Sequence, residues 1–196
     1  MIITRDRKKI ITALQKEGFR PCADAAAKQI LFNALALACM VFFERVINSP
    51  LYCVGVYHIS EQKEPYSGAD ALILSDDRRI SSIFISSEAL KNGLTFTVFL
   101  LLHEFAHLFC KESGHSAVFE ALLDELLTEF ERQTTFHLDN DYLGYGQSGI
   151  QFARITNKEN DVILKHWQRA KSMLENERGA AAVRLASNLL GENDDI

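Results

Sequence analysis

Proline occurs three times in this 196-residue chain and tryptophan once. Pro21, Pro50 and Pro65 all fall in plausible connections, and there is no Pro/Gly/Ser-rich linker, internal repeat or low-complexity segment. A fibrous or disordered chain is thereby excluded, and apolar residues at 47% with charged residues at 24% fit an ordinary globular composition. The four cysteines (Cys22, Cys39, Cys53, Cys110) include no CxxC pair, so neither a zinc ribbon nor a dithiol redox motif is present. Reduced thiols in a cytoplasmic protein are the expectation. Positive charge is also short. A formal net charge of −5 argues against a main role in holding nucleic-acid phosphates. The one dense basic run, Arg5, Arg7, Lys8 and Lys9, reads as the solvated side of a first helix.

Long hydrophobic runs are missing as well. The apolar stretch after those charges is too short for a signal peptide. Residues 30–43 are too few for a membrane span and contain Asn33, while residues 94–110 carry His103, Glu104 and His107. Both read as buried helices, and no membrane association is expected. The length suits one domain over residues 1–196. It comprises a helical N-terminal part (1–49), a catalytic core (50–135) and a C-terminal loop and helix (136–196).

Local patterns fill in that outline. Residues 5–17 predict a helix stopped by Gly18, and residues 23–47 a long central helix stopped at Asn48-Ser49-Pro50, with Phe19-Arg20-Pro21 connecting them. Aliphatic and aromatic content predicts strands over 51–59, 70–75 and 80–86, the last two joined by a hairpin turn at Asp76-Asp77-Arg78-Arg79. Helices are expected over about 94–111 and 116–133, then a Gly- and Tyr-containing loop at 137–149. A final amphipathic helix begins near Glu159, with Ile163, Trp167, Ala170 and Leu174 on one stripe. This order predicts an α+β fold with a small antiparallel sheet and flanking helices.

The chemistry concentrates in His103-Glu104-Phe105-Ala106-His107. Histidines four apart on a helix project from one face, where both imidazoles can meet one Zn²⁺. Glu104 is turned about 100° away, placed to act on a metal-activated water as general base without ligating. The surrounding helix is apolar on nearly every side. Burying these groups without partners would cost about 1–3 kcal/mol each, a cost that a metal removes. The third ligand has two candidates. His115 follows the Ser113-Gly114 turn and is favoured because three neutral imidazoles are a common catalytic zinc set. Glu125, in Asp124-Glu125-Leu126-Leu127-Thr128-Glu129, is the rival. If His115 ligates, Glu120, Asp124 or Glu125 could orient a ligand histidine.

The run HEFAHLFCKESGHSAVFEALLDEL resembles the catalytic segment of SprT-like metallopeptidases and the related YgjP/WLM-type zincins. There an HExxH helix is followed by a turn and a His-x-x-x-Phe element, matched here by His103, Glu104, His107, His115 and Phe119. The resemblance covers about residues 80–130. It implies a zincin-like fold with the HExxH helix beside the sheet, zinc held by the three histidines, Glu104 as base and Phe119 as packing. The spacing to the third histidine is longer than in YgjP-type proteins, and a glutamate-ligand arrangement like that of the ArdC and ImmA groups stays open through Glu125.

The expected activity is hydrolysis of peptide bonds in a protein or peptide substrate. The alternatives are a degenerate zincin that binds a partner and a non-peptidase zinc hydrolase. Strand 80–86 is expected to be the edge on which an extended peptide lies. His137, Tyr142 and Tyr145 are candidates for stabilising an oxyanion. Cys110, His58 and His166 read as structural. Nothing in the sequence specifies an oligomeric state.

Overall fold

The computed structural model describes residues 7–59, 69–75, 80–111, 114–134, 136, 138 and 176–191. Helix α1 (Arg7–Lys16) ends at Gly18, whose φ of 90° is a conformation glycine adopts without penalty. The next residues, Phe19–Pro21, form a short strand β1 where a connection was expected. Phe19 explains the difference: its fully buried ring meets Tyr57 edge-on at 4.8 Å and draws the segment onto the sheet. Asp24 caps α2 (Ala25–Ile47) by accepting a hydrogen bond from the Ala26 amide. A non-helical Phe42 (φ −110°, ψ 28°) kinks this helix before its last turns.

Strands β2 (Leu51–Ile59), β3 (Ala71–Ser75) and β4 (Ser81–Ser86) lie where the residue pattern put them, and β3 and β4 pair antiparallel as expected, but the sheet as a whole departs from expectation. The sheet is mixed, in the order β1-β2-β4-β3. β1 runs antiparallel to β2, β4 runs parallel to β2 (Val54 beside Ile83, Tyr57 beside Ser86), and β3 runs antiparallel to β4. The chain thus leaves β2, forms β3 on the outside and returns through β4 in the middle. β4 is therefore an interior strand, not the expected edge. All six of its residues are buried, as a strand covered on both faces requires.

Each face of the sheet has its own cover. Val54, Val56, Ile83 and Ile85 join the main core with α2 and the later helices. Phe84, Leu72 and Leu74 form a smaller cluster with Tyr57, Phe19 and Leu14 of α1. After β4 come a single turn α3 (Ser87–Leu90), capped by Ser86, and α4 (Leu94–Cys110), buried along Leu94–Leu108. Lys111, in the left-handed conformation (φ 60°), ends α4. Then α5 (Ala117–Gln133) begins at the Ser116 cap, and α6 (Glu177–Leu190), which the residue pattern did not reveal, packs on α2. Among the described residues α2 alone is long and apolar enough to cross a membrane; here it packs against α4, α6 and β2. The helix expected from Glu159 and most of the 137–149 loop lie outside the described residues.

The architecture is α+β: a small four-stranded sheet and six helices among the described residues, with α4 placed between the sheet and α5.

Candidate metal centre

His103 and His107 stand one turn apart on α4, ring centroids 4.9 Å from each other. Their helix is held inside the protein by its apolar sides, so His103 is only 6% and His107 9% exposed. The reversal after Lys111 brings α5 back along α4 and delivers His115, exposed just before the Ser116 cap, to the same point. Its ring lies 5.0 Å from that of His103 and 5.1 Å from that of His107. One ligand nitrogen from each histidine falls within 4.8 Å of the others. Phe119, one turn into α5 and 2% exposed, backs all three: it stacks on His107 at 4.2 Å and meets His115 and His103 edge-on at 4.8 and 5.0 Å.

The donor set fits a zinc ion. Nε2 of His115 lies 3.2 Å from Nε2 of His103, and neighbouring nitrogens of a tetrahedral zinc site are separated by about 3.3 Å. The imidazole charge state agrees. Burial first, then His107 and His115, hold the His103 pKa down at about 3, so the ring is neutral at neutral pH, as a metal ligand must be. Three histidines leave one tetrahedral position for water or substrate.

Glu104 is 4% exposed, and burial raises its pKa to about 8. A carboxyl poised near neutrality can both accept and return a proton. Tyr57 is a residue the sequence reading passed over. It is 1% exposed, and its phenol pKa is pushed up by burial and then by the charges of Asp70 and Glu104. Tyr57 lies forty-seven positions upstream of Glu104, and no spacing rule relates the two.

The rival ligand is elsewhere. Glu125 is exposed on α5 and pairs with Arg45 of α2. It borders an open cleft of about 550 Å³ lined also by Phe42 and Arg178, which none of the three histidines touches. Glu120 and Asp124 are likewise exposed. Cys110 is half-buried, its sulfur 3.8 Å from the His107 carbonyl oxygen, and does not join the cluster. His58 bonds the Ser87 hydroxyl through Nδ1 at 2.7 Å. His137, Tyr142, Tyr145 and His166 lie outside the described residues. Comparison of the chain with protein-family models, curated proteins and solved structures gives no match.

Proposed function

We propose that the chain is a zinc-dependent peptidase of the zincin kind, with His103, His107 and His115 as metal ligands and Glu104 as general base. The observation that carries this reading is the meeting of three imidazoles, two on α4 and one just before α5, beside a buried carboxyl. The resemblance of residues 80–130 to SprT-like and YgjP/WLM-type enzymes adds to it. Bound zinc would supply Lewis acidity, polarising a scissile carbonyl and acidifying a water.

The chain's own residues supply the rest. His103 and His107 are pre-oriented by the rigid α4 and by the Phe119 wall, so little reorganisation accompanies binding. Glu104 takes the proton of the attacking water and delivers it to the leaving amine. The substrate backbone needs a template, and β3 now takes the place first given to residues 80–86. Among the described residues β3 is the border strand beside β4, and it packs against α4, so on this reading its outer side would offer main-chain groups to a peptide.

The test uses zinc-loaded protein and an unfolded protein or peptide library as substrate. Wild type should cleave, and Glu104→Gln should retain zinc while cleavage falls by about 10²-fold or more. Turnover indifferent to that substitution would overturn the assignment of the base.

A further inference from the structure

Tyr57 sits in β2 with a hydroxyl in largely apolar company, an expensive placement unless the hydroxyl is used. Its strand neighbours are Pro21 on β1 and Ser86 on β4. Cross-strand partners share a face of the sheet, so the phenol starts on the same face as the small, fully buried Ser86. Phe19 clamps the ring edge-on at 4.8 Å. The hydroxyl ends beyond β4 and donates a 3.0 Å hydrogen bond to the carbonyl oxygen of Ala69, two residues before β3 begins. The next residue is held from the same side, because the Ser86 amide donates to the Asp70 carbonyl oxygen at 2.8 Å. These two hydrogen bonds hold the entry to β3, one of them from a side chain rooted two strands away. Burial first, and then the charge of Asp70, keep the proton on that phenol, so it remains a donor.

We propose that Tyr57 is a positioning residue for peptide binding: by bracing the Ala69 carbonyl it sets where β3 stands relative to Glu104 and the three histidines, and so the register of an extended peptide over them. This rests on the peptidase reading above. Packing alone is satisfied by the ring; the hydroxyl is what ties β2 to the entry of β3. Tyr57 touches neither metal nor substrate in this role and acts through β3.

Two metal-directed probes separate the brace from general stability. Acetohydroxamate can reach only the metal, whereas a tetrapeptide hydroxamate also offers its backbone to β3. In zinc-loaded wild type the peptide probe should bind more tightly. Tyr57→Phe should weaken the peptide probe by about tenfold, the scale of one hydrogen bond. It should leave acetohydroxamate affinity, zinc content and far-UV circular dichroism unchanged, with faster amide exchange confined to residues 69–75. Equal weakening of both probes, or an unaltered peptide probe, would overturn the role of Tyr57. Failure of wild type to bind either probe would overturn the peptidase reading itself, and amide exchange at 69–75 in Tyr57→Phe would still decide whether the brace exists.

Discussion

The Nε2 atoms of His103 and His115 stand 3.2 Å apart although twelve residues separate them in the chain. Without a cation, one ring must point an N–H at the other. With one, both lone pairs turn to the metal, and the turn between α4 and α5 closes a chelate. Zinc content of the purified protein should accordingly be about one per chain and should be lost in His103→Ala/His107→Ala. His115→Ala should lower zinc affinity far more than Glu125→Ala, whose carboxylate is engaged with Arg45. Competition against a chromogenic chelator ranks them, and the reverse order would favour the glutamate-ligand alternative.

Two buried groups set opposing limits on the metal-free protein. His103 has its pKa lowered from 6.5 to about 3, so it contributes stability in full above pH 6.5 and loses it as pH falls towards 3. Glu104 has its pKa raised from 4.5 to about 8, so its contribution is full below pH 4.5 and is lost as pH rises towards 8. The slopes cancel in between. Metal-free protein should be most resistant to urea between about pH 4.5 and 6.5, with stability falling on both sides. A maximum above pH 8 would contradict the burial of Glu104.

Glu104→Gln should remove the upper limb alone. In chelator-treated protein this variant should be more stable than wild type at pH 8, since no charge has to be buried, even though it is the variant expected to lose cleavage. Thermal unfolding at pH 5.5 and pH 8 makes the comparison; an equal difference between the proteins at both pH values would count against it.

The helix carrying HExxH was legible from its histidine spacing and its unbroken apolar surroundings, and three strands were legible from their β-branched and aromatic residues. The antiparallel pairing of β3 with β4 was legible too; the parallel pairing of β4 with β2 was not. Ile83 and Ile85 alternate with Ser82, Phe84 and Ser86 as they would in a half-exposed hairpin strand, yet β4 is covered on both sides because α1 roofs the second face. Similarly, the choice between His115 and Glu125 turns on how α5 crosses α4, a tertiary relation to which spacing is blind. β1 has three residues and one decisive ring, too little for any periodicity to show.

Phe119 offers a test of the wall behind the three histidines. Its 2% exposed ring touches all three histidines, and Phe119→Ala should cost about 3–5 kcal/mol in urea unfolding of the metal-free protein. Phe119→Leu, which retains most of the volume, should cost much less. Zinc affinity should fall in the same order, because the imidazoles lose their backing; an alanine variant with unaltered affinity would show that the helices alone hold the ligands.

Gly55 probes the sheet away from the metal. A Cβ there would stand 3.1 Å from the Phe84 ring. Gly55→Ala should therefore destabilise by about 1–3 kcal/mol through overpacking, measured by the same denaturation. The paired substitution Gly55→Ala/Phe84→Leu should recover part of the loss.

The sheet ends differently on its two sides. β1 is three residues long and finishes in Pro21, which has no amide proton to offer another strand, whereas β3 is the opposite border among the described residues. A ribbon that grows by adding copies needs two receptive borders; among the described residues this one has a single receptive border. Any self-association through strand pairing should stop at a closed pair, β3 against β3, and the same contact that would dimerise the protein would shut peptides out of it.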